Sequence, residues 1–192
     1  MKSYSLRTMV FLALCCDLGL FSKRLISPAA NLITDFLHIP GGISTSFSLM
    51  FLVIAVTLAP KAGCVTVMGA VQSALALALG MVGSMGALSP LGYILPGVLI
   101  DLLAWAAGKK RLALLSRMML LNSAASVCAT LTANWIVFHL RGTALLLYVC
   151  VAASSGALCG LLGAQIVERL RPVLGVRLAG ETQEGRAYCE AE

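Results

Sequence analysis

Apolar residues in this chain run in long unbroken blocks, separated by short stretches that carry charge, glycine or proline. The blocks cover about 5–21, 43–59, 62–86, 88–108, 113–139 and 143–167. Each approaches the roughly 20 residues a helix needs to cross about 30 Å of hydrocarbon while bonding its own backbone internally. A membrane β-barrel would instead alternate apolar and polar residues, and no such alternation is visible. The pattern therefore predicts an all-α, polytopic membrane protein: one domain of six transmembrane helices over 1–178, then a loose polar tail at 179–192, AGETQEGRAYCEAE. The uninterrupted apolar part of the first block, TMVFLALCC, is short, and Asp17 follows it. A cleaved signal peptide is the alternative there, since Lys2 and Arg7 precede an apolar core, but the small-residue cleavage site is poor.

Between the first two blocks lies NLITDFLHIPGG. Offsets of three and four place Asn31, Thr34, Asp35 and His38 on one helical face, and Pro40, Gly41 and Gly42 supply a turn. Two readings stay open. The segment is a lid whose polar face closes a pocket, or an amphipathic stretch resting at the membrane surface with Leu32, Ile33, Phe36 and Leu37 in lipid.

Composition agrees with a membrane address. The chain of 192 residues is 59% hydrophobic and only 11% charged, and its mean hydropathy of +0.94 lies outside the soluble range. With six spans and an inside N-terminus, the inner side carries Lys2, Arg7, Lys61, Lys109, Lys110, Arg111, Arg169, Arg171, Arg177 and Arg186. The outer side carries only Lys23, Arg24 and Arg141. This asymmetry predicts both termini in the cytoplasm of a multi-pass cell-membrane protein. The net charge of +6 is then topogenic and calls for no nucleic acid.

Chemical motifs are sparse. There is no GxxxxGK[ST] loop to cradle nucleotide phosphates and no GxSxG or HExxH. The seven cysteines have neither CxxC spacing nor histidine partners, which suits small apolar packing residues. Neither cofactor nor metal is expected, and an enzyme reading has little to stand on. Ionisable groups at membrane depth cost about 2.5–3.5 kcal/mol each, so Asp17 and Asp101 need partners or a cavity. Asp17 either snorkels or pairs with Lys23 or Arg24, while Asp101, one turn from Trp105, points to helix packing or a partner contact.

Two helices are rich in small residues. The third carries Ala70, Ala74 and Ala78 at intervals of four; the sixth carries Gly156, Gly160 and Ala164. Such rows let helices approach closely in lipid, either inside this bundle or against a partner helix. The predicted outer ends gather Tyr93, Asn134, Trp135, His139 and Tyr148 on the same side as Asn31, Asp35 and His38. Aromatic faces, amides and imidazoles are the groups expected around a small heterocycle, although Tyr93 and Trp135 also suit an interfacial belt.

The six-span plan without an ATPase, the stretch LMFLVIAVTLAPKAGCVTVMGAVQSALALALG and the stretch SPLGYILPGVLIDLLAW together resemble the substrate-binding (S) component of energy-coupling factor transporters, small membrane proteins that capture vitamins or metal ions. These pattern-level matches cover about a third of the chain. The resemblance implies a six-helix fold with a ligand pocket near the outer face. It also implies an integral coupling subunit and two cytoplasmic ATPases as partners, docking on the small-residue faces of the first three helices. The family's AxxxA motif on the first helix is not intact: Ala13 is followed by Asp17, and Cys15 by Gly19. Ala13, Cys15, Gly19, Ala70, Ala74 and Ala78 are the resulting docking candidates, with the alanine row the better one. Metal-transporting members use an N-terminal Met-x-His-like arrangement, whereas this chain begins MKSYS. The expected substrate is a small neutral or cationic nitrogen heterocycle, with Asp35 or Asn31 on its polar edge and Trp135 or Tyr93 on its face. His38 and His139 are either charge switches or, better, neutral hydrogen-bonded imidazoles. The competing readings are a stand-alone small permease, for which Gln72, Asp101, Asn122 and Gln165 would have to line a path, and an intramembrane enzyme.

Overall fold

A computed structural model describes residues 6–37, 43–59, 63–80, 88–107, 113–137, 139 and 142–174. The described residues are almost all helical, with no strand among them, in the order α1 (Leu6–Leu37), α2 (Ile43–Leu58), α3 (Cys64–Ala78), α4 (Ser89–Ala107), α5 (Leu114–Leu131) and α6 (Thr143–Leu174), with a π-helical segment, Thr132–Val137, continuing α5. The all-α expectation holds. Three helices are long and apolar enough to span a membrane, over Ser89–Ala106, Leu114–Asn134 and Thr143–Arg171, while Ser44–Leu58 and Cys64–Ala78 are shorter apolar helices.

The elements differ from the sequence expectation in three places. The first block and NLITDFL are one continuous helix of 32 residues, about 48 Å long at about 1.5 Å per residue. Pro28 sits inside it; proline removes one hydrogen bond of the ladder and its ring crowds the carbonyl four residues back, which weakens the helix locally. The segment expected to stand apart as a lid or a surface helix is thus the C-terminal end of α1 as far as Leu37, and His38, Pro40, Gly41 and Gly42 lie outside the described residues. The third block ends early, at Ala78, with Gly80 at φ 65°. The fifth changes from α to π geometry at Thr132. The tail at 179–192 also lies outside the described residues.

The bundle is built around α2, which touches every other helix. Its sequence, ISTSFSLMFLVIAVTL, has no charge, and Met50, Leu52, Val53, Ile54, Ala55 and Val56 are all buried. Its hydroxyls are satisfied by neighbouring backbone: Thr57 Oγ1 donates to the Val53 carbonyl at 2.7 Å, and Ser48 Oγ to the Gly19 carbonyl of α1, also at 2.7 Å. Helices of this kind are hydrophobic all round because no face meets solvent.

Glycines set the pairings around it. A Cβ on Gly156 would lie 2.7 Å from Ser123 Cα, and one on Gly160 2.7 Å from Met119 Cα, so α6 lies backbone-close and antiparallel on α5. Likewise a Cβ on Gly69 would meet the Tyr93 carbonyl at 2.7 Å and one on Gly97 the Val65 carbonyl at 2.9 Å, which fixes α3 antiparallel to α4. Helix α1 runs parallel to α3, with Cys16 at Met68 and Leu20 at Ala76. The outward faces keep large apolar side chains exposed, among them Leu14, Phe21, Leu25, Leu95, Leu102, Leu158 and Leu162. An exposed apolar surface of this extent matches a lipid environment rather than water.

Candidate functional site

Alternating helix directions bring the C-terminal ends of α1 and α3, the N-terminal ends of α4 and α6, and the π segment to one end of the bundle. This is the end that the charge pattern predicts to face outward. Tyr93 is buried there, 8% exposed, in a small cluster with Leu20 and Ala76. Its phenol oxygen accepts a hydrogen bond from Lys23 Nζ at 3.3 Å, and the same ammonium lies 4.6 Å from the ring centroid. Tyr93 therefore offers one ring face to a cation of its own chain, the face a stacked heterocycle would otherwise use. Lys23 pairs with Tyr93 and not with Asp17, which is exposed and makes no ion pair.

Asn134 and Trp135 lie in the π segment. Single π turns recur at functional sites because they re-aim side chains that a regular helix would hold in register. Here the segment is braced from within: Asn134 Nδ2 donates to the Thr130 carbonyl at 3.1 Å, and Thr132 Oγ1 to the Cys128 carbonyl at 2.8 Å. Asn134 is 8% exposed. His139 is exposed and has φ 51°, an uncommon left-handed backbone for a non-glycine residue. Tyr148 is half-buried in the second turn of α6. Asn31 and Asp35 belong to the last turns of α1, but their side chains, like that of Trp135, lie outside what is described, as does His38 altogether.

The polar residues required to line a permeation path serve other ends. Gln72, 1% exposed, donates from Nε2 to the Cys16 carbonyl at 3.0 Å and ties α3 to α1. Asn122 Nδ2 donates to the Ser46 carbonyl at 3.3 Å and the Gly156 carbonyl at 2.8 Å, joining α5 to α2 and α6. Beside it, Ser46 Oγ and Ser155 Oγ are 2.9 Å apart. Asn122 Oδ1 and Ser126 Oγ are left without partners. A Cβ on Gly156 would already lie 2.8 Å from Ser126 Oγ, so α6 packs closely against this knot. Gln165 is exposed.

Asp101 is a helix cap supplied by a neighbouring helix. Its carboxylate accepts from Val65 N at 3.3 Å, Thr66 N at 2.8 Å and Thr66 Oγ1 at 2.6 Å. Gly63, at φ 78°, starts α3 with no side-chain cap of its own, so the first N–H groups of α3 are open to an outside acceptor. A carboxylate at a helix N-terminus is favoured by both hydrogen bonding and the helix dipole.

The opposite end carries an open apolar groove of about 390 Å³ between α1 and α3. Met9, Ala13 and Cys16 line it from α1, and Cys64, Val67 and Val71 from α3. Next to it the row Ala70, Ala74 and Ala78 points out of the bundle, all three residues exposed, because α3 buries Val65, Met68, Gly69, Gln72 and Ala76 instead. The sixth-helix row is spent internally against α5. Of the first-helix candidates, Ala13 is exposed, whereas Cys15 and Gly19 are buried. A Cβ on Gly19 would stand 2.8 Å from Gln72 Nε2, so its small size serves contact between α1 and α3. Lys23 is the residue that pattern reading left out of the outer site; its position one turn beyond Gly19 and Leu20, on the face that meets α3 and α4, is the signal that could have found it. Searches with the chain match no family model, no curated protein and no solved structure.

Proposed function

We propose that this chain is the membrane-embedded substrate-capture subunit of an importer of the energy-coupling factor type. In this reading it crosses the cell membrane six times with both termini in the cytoplasm. It binds a small vitamin-like molecule at the outer end and delivers it inward with a coupling subunit and two ATPases. The observation that carries the reading is the exposed alanine row of α3 beside the apolar α1/α3 groove. A bundle that needed small residues only for its own packing would bury them, as α6 does. Left on the surface, Ala70, Ala74 and Ala78 offer a close-approach ledge to a foreign helix, and the exposed Val67 and Val71 add apolar area beside it.

The test is co-expression with candidate coupling and ATPase subunits. The wild-type chain is expected to purify in a stoichiometric complex, and Ala74→Trp to insert normally but lose it. A chain that never associates and transports substrate alone would sink the reading.

A further inference from the structure

We propose that Lys23, Ser73, Ser89 and Tyr93 form an anion-binding corner that holds a carboxylate or phosphate group of the captured substrate. The inference rests on the substrate-capture reading of this end of the bundle and narrows its substrate to molecules with a negatively charged oxygen group. Lys23 is half-buried, and its ammonium has three donors, of which Tyr93 engages one. No carboxylate of a described residue pairs with it. Tyr93 holds the ammonium in place through both its oxygen and its ring.

Two hydroxyls complete the corner. The contacts of Gly69 with Tyr93 and Gly97 with Val65 set an antiparallel register in which Ser73 of α3 stands opposite Ser89 of α4. Ser89 lies one turn from Tyr93 on the same face of α4. Ser73 and Ser89 are 7% and 4% exposed, yet neither makes a hydrogen bond. Serines buried in apolar helices ordinarily donate to a carbonyl, as Ser48 and Ser155 do here. A half-buried ammonium held on Tyr93, with two uncommitted hydroxyls at the same end of α3 and α4, is a donor set, and a carboxylate or phosphate is the acceptor that fits it. A cationic substrate would meet repulsion from Lys23 at this corner.

The full chain in a nonionic maltoside micelle tests this, with sodium phosphate or sodium acetate replacing chloride at constant ionic strength. Either anion is expected to raise the unfolding temperature of the wild type and of Ser154→Ala, a distant control. Lys23→Gln is expected to show no rise, and Ser89→Ala to weaken the apparent phosphate affinity about tenfold. Should Lys23→Gln fail to fold, Ser89→Ala and Lys23→Arg carry the comparison. No anion response in the wild type, or one of equal size in Ser89→Ala and, where it folds, Lys23→Gln, overturns the proposal. Native mass spectrometry in phosphatidylglycerol nanodiscs separates the other source of a phosphate. Lys23-dependent lipid retention without any response to the soluble anions assigns the corner to a headgroup and also overturns it. Complex formation with the coupling subunit, measured on the same variants, reports on the transporter reading separately.

Discussion

Asp101 shows how a single side chain takes its meaning from the helix beside it. A lone carboxylate in an apolar helix needs a partner, and its three acceptor contacts all go to the first turn of α3, the helix-packing role its position suggested. Asp101→Ala is expected to destabilise the fold by about 2 kcal/mol, because the cap is lost and donors are left unpaired. Asp101→Asn keeps an acceptor oxygen and is expected to cost about half as much. Thermal unfolding of both variants in detergent checks the order; equal losses would show that the carboxylate acts only through its charge. Of the two alternatives for Asp17, pairing with Lys23 or Arg24 is not seen among the described residues, and for Lys23 the reason is geometric. At about 100° per residue, six positions along a helix turn Lys23 roughly 120° away from Asp17, and Lys23 then meets α4 while Asp17 stays exposed.

At the scale of elements, two rows that look alike in sequence have opposite fates. Gly160→Leu drives a branched side chain into Met119 and is expected to cost about 3 kcal/mol or more. Ala74→Leu, on the exposed face of α3, is expected to leave unfolding unchanged while weakening capture by the coupling subunit. Unfolding and pull-down on the two variants give this contrast, and a large stability loss in Ala74→Leu would place the row inside the bundle. Most helix positions were legible from the apolar blocks, though not the extension of α1 to Leu37, and so were the close-packing residues. Which row faces inward was not, because that depends on which helices become neighbours. The π segment left no mark either: TANWIV carries no residue that forces a wider turn. For the outer site, Tyr93 and Asn134 were legible as aromatic and amide groups at helix ends. Their actual partners, Lys23 and the Thr130 carbonyl, required the fold.

For the whole molecule, the charge asymmetry makes the sharpest claim. Both termini are expected inside, so Cys189 in the polar tail should resist a membrane-impermeant maleimide on intact cells and react in inside-out vesicles. Labelling from outside would reverse the topology and move the alanine row to the wrong side for a cytoplasmic motor. Capture of substrate gives a second check: Asp35→Asn and Trp135→Ala are expected to weaken binding without reducing membrane insertion, and unchanged affinity in both removes those residues from the site.

The cap that α4 places on α3 also bears on biogenesis. Asp101 is the only charged residue of α4, and entering the bilayer alone that helix would bring an unneutralised carboxylate at a cost of about 2.5–3.5 kcal/mol near the centre. Helix α3, at 15 residues, is short and begins with uncapped donors. Each carries the remedy for the other's liability. In the six-span reading proposed above, the two are therefore expected to enter the bilayer most cheaply as a joined pair, α3 waiting until α4 brings Asp101 to its first turn.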